Sequence, residues 1–131
     1  MTQKEKDLLL KDIFGRIPYG IKCSYLDIEF NNTIHGNLES FEYDDDKDVI
    51  FVIDGIGIYS ERVKPYLFPL SSMTITQRQE LDTIVRRKIY REINYHECIS
   101  QMIDFYHKHH FDYRNLIPIG LANDATGLNI Y

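Results

Sequence analysis

The densest run of reactive side chains is His107-Lys108-His109-His110, with Asp104 one helical turn before it and Asp112 just after. Imidazoles and carboxylates are transition-metal ligands, and imidazole also moves protons near neutral pH. Asp104 and His107 would share one face of a helix and could share an ion, with His110 as a third ligand. No second ligand pair with a metal-type spacing is present. His109 falls near the apolar face of the same helix, where a hydrogen-bonded rim histidine is the commoner arrangement. A structural or surface role is the simpler reading of the run. His96, Ser100, Asp104 and His107 share the opposite face and suggest an acid–base set. That set would stretch over roughly 16 Å of helix, whereas catalytic partners must stand about 3 Å apart. A solvated polar face accounts for these residues better.

Arg86, Arg87, Lys88 and Arg91 form a basic patch that could contact the phosphates of a nucleic acid or nucleotide. They could equally pair with Glu80, Asp82, Glu92 or the aspartate loop, and such a face is more often solvated or salt-bridged. Asp54-Gly55-Ile56-Gly57 is too short for a dinucleotide-binding loop and reads as a hairpin. Asp44, Asp46 and Asp48 imitate part of a calcium loop but lack its glycine and distal glutamate. Cys23 and Cys98 carry no nucleophile or metal signature. Two buried thiols in a reducing compartment is the plain reading, with a disulfide left open.

The elements that must position these groups follow from periodicity. Residues 2–14 read as a helix, with Thr2 and Glu5 at capping-box spacing and Gly15 as its stop. Ile21, Cys23 and Tyr25 alternate with polar residues, and the phase changes at Leu26, Ile28 and Phe30, the pattern a β-bulge leaves. Asn31-Asn32 marks a turn, residues 33–43 a second strand, and Val49–Ile53 a continuous apolar strand. Asp54-Gly55 is a type I′ turn signal into a return strand that runs to Val63. Thr74 and Gln77 then repeat the capping-box spacing before a helix with a Leu81, Ile84, Val85 and Ile89 stripe. A last helix covers about His96–His109, with Cys98, Ile99, Met102, Ile103, Phe105 and Tyr106 on its apolar side.

Between the two halves lies Val63–Thr74, stiffened by Pro65 and Pro69 and poorly suited to a central strand. Lys64, Pro65, Tyr66, Leu67, Pro69 and Thr74 define this joint, with Val63, Tyr66, Leu67 and Leu70 as candidate core anchors. Packing and capping residues of this kind favour a structural hinge over an active centre. The expected organisation is a single domain over 1–131: an N-terminal helix (2–14), a β layer (17–63), a Pro-rich joint (63–74), a helical half (75–110) and an irregular tail (111–131). The fold class is α+β: a small curled antiparallel sheet, of which an SH3-like barrel is one form, with an N-terminal helix and two C-terminal helices.

Length and composition bound the function. The 131 residues, 44% of them hydrophobic, suffice for one core. A net charge of −5 argues against a general DNA-coating protein. Ten tyrosines and seven phenylalanines allow an association surface, although core edges are the commoner place for tyrosine. The start of the chain lacks a signal peptide's apolar region, and no segment has the length of a membrane span, so a cytoplasmic location without membrane contact is expected. No cofactor is expected.

Lys64-Pro65-Tyr66-Leu67-Phe68-Pro69-Leu70-Ser71-Ser72-Met73-Thr74 resembles a motif of small uncharacterised proteins encoded by phages, prophages and mobile elements of gut Bacteroidetes. Ile17–Lys22 and Phe111–Ile117, followed by Gly120-Leu121-Ala122, are similar to the same group, and together the stretches span most of the chain. Phe68 stands where relatives usually carry a basic residue, and Ile75 and Thr76 where they carry acidic ones. The resemblance implies an origin, and for a phage-encoded chain the host's bacterial cytoplasm as its location. It supplies no catalytic residues. The function expected is that of a non-enzymatic accessory protein working through contacts with an unknown protein partner or with itself. The alternative is a phosphate-binding module built on residues 86–91.

Overall fold

The computed structural model describes the whole chain, Met1–Tyr131. Thr2 opens the first helix, α1 (Gln3–Arg16), through the expected capping box: Glu5 N–H donates to Thr2 Oγ1 at 3.1 Å, and Thr2 N–H donates to the Glu5 carboxylate at 3.0 Å. The stop expected at Gly15 is not used. The helix runs on to Arg16, passes into a 3₁₀ turn (Ile17–Tyr19), and the chain reverses at Gly20, whose φ is 74°. Gly15 has a packing reason instead, because a Cβ there would come within 2.6 Å of His107 Cε1.

Strands β1 (Lys22–Asp27) and β2 (Asn32–Tyr43) pair antiparallel, as do β2 with β3 (Val49–Ile53) and β3 with β4 (Ile56–Tyr59). The β3–β4 turn is as expected, with Asp54 and Gly55 both at positive φ. The bulge is not where the phase change placed it. β1 stops at Asp27, whose carboxylate accepts the Glu29 and Phe30 N–H groups at 3.0 and 3.4 Å and so closes a turn. Ile28 and Phe30 therefore project from the hairpin tip, 71% and 72% exposed. The irregular pairing lies in β2, between Leu38 and Ser40.

Val63–Pro69 is itself a strand, β5, rather than a spacer. It pairs antiparallel with β1 and parallel with the two-residue strands β6 (Phe111–Asp112) and β7 (Asn123–Asp124). The Leu67–Phe68 peptide explains how prolines are accommodated. Its carbonyl accepts from Ala125 N–H and its N–H donates to the His110 carbonyl, both at 2.8 Å, so β7 and β6 meet opposite edges of the strand. Pro65 and Pro69 have the parity of Leu67, which puts their missing donors on the β7 edge. There β7 pairs only Tyr66 and Leu67, and no ladder bond is lost. Val63, Tyr66 and Leu67 are buried as expected, whereas Leu70 is exposed.

The sheet order is β4-β3-β2-β1-β5-β6, with β7 on β5. It stays open and is mixed along β5, so the α+β class holds without closure into a barrel. The core lies between α1 and the sheet, around Leu9, Ile13, Ile21, Cys23, Phe51, Ile53, Val63, Leu67 and Leu116. After β5 come α2 (Ile75–Ile89), capped by Thr74 with Gln77, and α3 (Tyr95–Lys108), capped by Asn94.

One polar group lies inside this frame. Asp12 and Arg16, both 0% exposed, face each other across one turn of α1, with Arg16 Nε donating to Asp12 Oδ2 at 2.7 Å. Arg16 Nη2 donates to Asp12 Oδ1 at 3.1 Å and to the Phe111 carbonyl at 2.6 Å. Arg114 Nε stands 3.3 Å from Asp12 Oδ1, and both guanidinium groups lie over the Tyr113 ring. Asp112 accepts the Leu116 and Ile117 N–H groups at 2.8 and 2.9 Å. Helix α1 is thereby bonded to the segment after α3. Removing one partner of a buried pair strands the other charge, at about 3–5 kcal/mol. Asp12→Ala should lose that much in urea unfolding. Lys6→Ala, which breaks only surface pairs 3.5 Å from Asp48 and 4.0 Å from Glu61, should lose under about 1 kcal/mol. Equal losses from the two variants would contradict this assignment.

Candidate functional site

The histidine run does not converge. His107 is buried beside Gly15, and its Nε2 is 2.9 Å from the Tyr113 hydroxyl. Its expected place on a solvated face fails because α1 and β6, as well as α2, pack on α3. Asp104 accepts a hydrogen bond from the Tyr19 hydroxyl at 3.1 Å. His109 Nε2 lies 3.0 Å from the Glu80 carboxylate. His110 stacks on Tyr131, ring centroids 3.6 Å apart and planes 13° from parallel. Asp104, His107 and His110 thus point to three different partners, and no group of three or more His, Cys, Asp or Glu side chains is placed to hold a metal ion. His96 and Ser100 stand exposed and take no part in an acid–base set.

The basic residues remain available. None of Arg86, Arg87, Lys88 and Arg91 has a carboxylate within ion-pair distance. They do not line one hollow, however. Arg87 lines a cleft of about 480 Å³ with Tyr19, Glu80, Asp104 and Lys108. Lys88 and Arg91 line a shallow depression at the α2–α3 loop, where the Lys88 ammonium lies 5.6 Å from the Tyr95 ring centre. The aspartate loop is held by its own first residue: Asp44 Oδ1 accepts from Asp46 and Asp48 N–H, both at 2.9 Å, and Oδ2 accepts from the Tyr59 hydroxyl at 3.2 Å. Cys23 and Cys98 are both buried and free, and burial pushes the Cys23 thiol far up.

Helix α2 exposes more than its sequence suggests. None of its residues is buried. Leu81, Ile84 and Val85 are half-covered against α3, and the stripe's last member, Ile89, is exposed. Ile75, Tyr90 and Tyr95 are exposed as well, at 79%, 74% and 60%. The α2–α3 pair is therefore an arm with an uncovered apolar margin next to unpaired basic groups.

A second cleft, about 460 Å³, opens where β1, β2 and β5 approach the tail. Lys22, His35, Asn37, Asp54 and Tyr66 supply its polar groups, and Leu128 and Ile130 its aliphatic part. Sequence reading missed it because these residues come from three strands, a turn and the tail, with no local spacing to link them. The only hint was polar His35 and Asn37 alternating with Ile34 and Leu38 along one strand. Tyr131 fixes the tail here. Lys22 N–H donates to its hydroxyl oxygen at 2.9 Å, and its hydroxyl donates to the Tyr66 carbonyl at 2.8 Å, continuing the β1–β5 ladder by one bridge.

Comparison with family models, with curated proteins and with solved structures finds no match.

Burial, then the Arg16 guanidinium, lowers the pKa of both His107 and His110, and that of His110 falls from 6.5 to about 4. Such a group is neutral in the folded state and takes up a proton on unfolding once the pH drops below about 6.5. Stability should accordingly fall between pH 6.5 and pH 4, by about 3 kcal/mol for His110 alone. Urea unfolding across that range tests it. His110→Asn keeps a residue that tolerates the positive φ at this position and should flatten the slope. An unchanged slope would show that His110 does not titrate this way.

Proposed function

We propose that the protein is a non-enzymatic accessory protein of a phage or mobile element and works through protein contacts made by the α2–α3 arm. The observation that carries this reading is a 15-residue helix that buries none of its residues. A helix of that length is marginal alone in water, and here it is supported by α3 on one side only. The exposed Ile89, Tyr90 and Tyr95 cluster near the loop between the helices, and aromatic side chains of this kind are enriched in interface cores. No helix is long and apolar enough to cross a membrane.

Light scattering after size exclusion, together with affinity capture from a bacterial host lysate, tests the proposal. The wild-type chain should self-associate or retain a defined partner. Ile89→Asp combined with Tyr90→Asp should abolish that association and leave the thermal midpoint unchanged, since both side chains are exposed. A strictly monomeric wild type that captures nothing lost by the variant would overturn it.

A second reading rests on the four unpaired basic residues of α2 and its loop. A phosphate-binding surface there would bind single-stranded nucleic acid with strong salt dependence. Arg86→Ala and Arg91→Ala should each reduce the slope of log affinity against log salt by about 1. Binding insensitive to salt, or none at low salt, would eliminate this alternative.

A further inference from the structure

We infer that the cleft between β1, β2, β5 and the tail is a binding site for a flat, amino-bearing nitrogen heterocycle of nucleobase size. The site is separate from the α2–α3 arm and from the basic residues 86–91, and it requires no phosphate. Its volume of about 460 Å³ lies within the range of small-ligand pockets, about 300–1,000 Å³. Its polar groups are few and of complementary kinds, as such pockets require.

Each lining group has a defined state. Tyr66 is 7% exposed, and its hydroxyl shares a hydrogen bond with His35 Nδ1, which leaves the far nitrogen of the imidazole for a ligand. The two rings lie 5.6 Å apart with their planes tilted by 39°, and they give the cleft an aromatic side. Lys22 Nζ donates to Asn37 Oδ1 at 2.8 Å, so the Asn37 side chain is left with its amide donors. Asp54 Oδ1 accepts the Asn37 backbone N–H at 3.2 Å, and Oδ2 has no protein donor. Gly36 makes room for that carboxylate, because a Cβ there would collide with Asp54 Oδ2. Leu128 and Ile130 add an apolar wall from a different segment.

An open carboxylate oxygen calls for an N–H donor. The Asn37 amide calls for an adjacent acceptor, and an aromatic side facing an aliphatic wall suits a flat ring. Adenine and cytosine present an amino group beside a ring-nitrogen acceptor, and guanine presents two adjacent donors to a carboxylate. Uracil flanks its N–H with two carbonyl oxygens, which a carboxylate repels.

The experiment is amide-resolved NMR titration of the full chain with adenosine, guanosine, cytidine and uridine. At least one of the first three should shift resonances of Lys22, His35, Asn37, Asp54 and Leu128, and uridine should bind more weakly. Asp54→Asn keeps the acceptor for Asn37 N–H and an Asn-Gly type I′ turn, so the fold is retained. It should weaken binding by about tenfold or more, the loss expected for a hydrogen bond to a charged group, with the thermal midpoint unchanged. Gly36→Ala, which displaces the carboxylate, should act in the same direction. The inference is overturned if no nucleoside shifts these residues up to its solubility limit, or if the shifts map elsewhere. Uridine binding as tightly as adenosine, or undiminished binding by Asp54→Asn, would overturn it as well.

Discussion

Asp12 and Arg16 are ionisable side chains with no exposed surface, and the rest of the fold is arranged around keeping their charges paired. A buried ion pair gains little net stability, because desolvation offsets most of the attraction. Its value lies in the penalty for any arrangement that leaves a charge unmatched. Here the match is available only when α1 lies beside the chain that follows α3: Arg16 needs the Phe111 carbonyl, and Asp12 needs Arg114. Elements about a hundred residues apart in sequence are thereby fixed in one register. The small strands β6 and β7 then stitch the same C-terminal chain to β5.

This arrangement gives three of the sequence stretches a physical meaning. Phe111-Asp112-Tyr113-Arg114 supplies the carbonyl, the ring and the second guanidinium of the buried network. Ile17-Pro18-Tyr19-Gly20 carries the reversal that brings β1 back under α1. Lys64–Pro69 lies in the strand that both ends of the chain reach. All three stretches hold positions on which folding depends. The α2–α3 arm lies outside these stretches, whereas the cleft between β1, β2, β5 and the tail takes Tyr66 from one of them.

Local signals were legible wherever the chemistry is local. Both capping boxes, the Asp54-Gly55 turn, the apolar β3 run and the three helices all appear in the structure at or near their expected positions. Three readings failed, two of them because long-range packing decides them and one because a side chain closes a local turn. Gly15 looks like a helix stop, but its missing Cβ accommodates His107. Leu26, Ile28 and Phe30 look like a bulged strand, but the Asp27 carboxylate closes a turn there. Pro65 and Pro69 look like a break, but strand parity turns their missing donors to an edge that is scarcely paired. The histidine run drew attention as a cluster, yet its members diverge because α3 is covered on more than one side. The cleft at His35 and Tyr66 left only the alternation of His35 and Asn37 with Ile34 and Leu38 as a local trace, because its other groups come from distant segments.

The dependence of the fold on the buried Asp12–Arg16 network is tested most directly by native-state hydrogen exchange, which reads the opening energy of each amide. Amides of α1 and of residues 111–117 should share one opening free energy, close to that of global unfolding, while the exposed α2 amides open at lower energy. If residues 111–117 exchanged independently of α1 and at much lower energy, the network would be a passenger of the fold rather than the constraint that holds it.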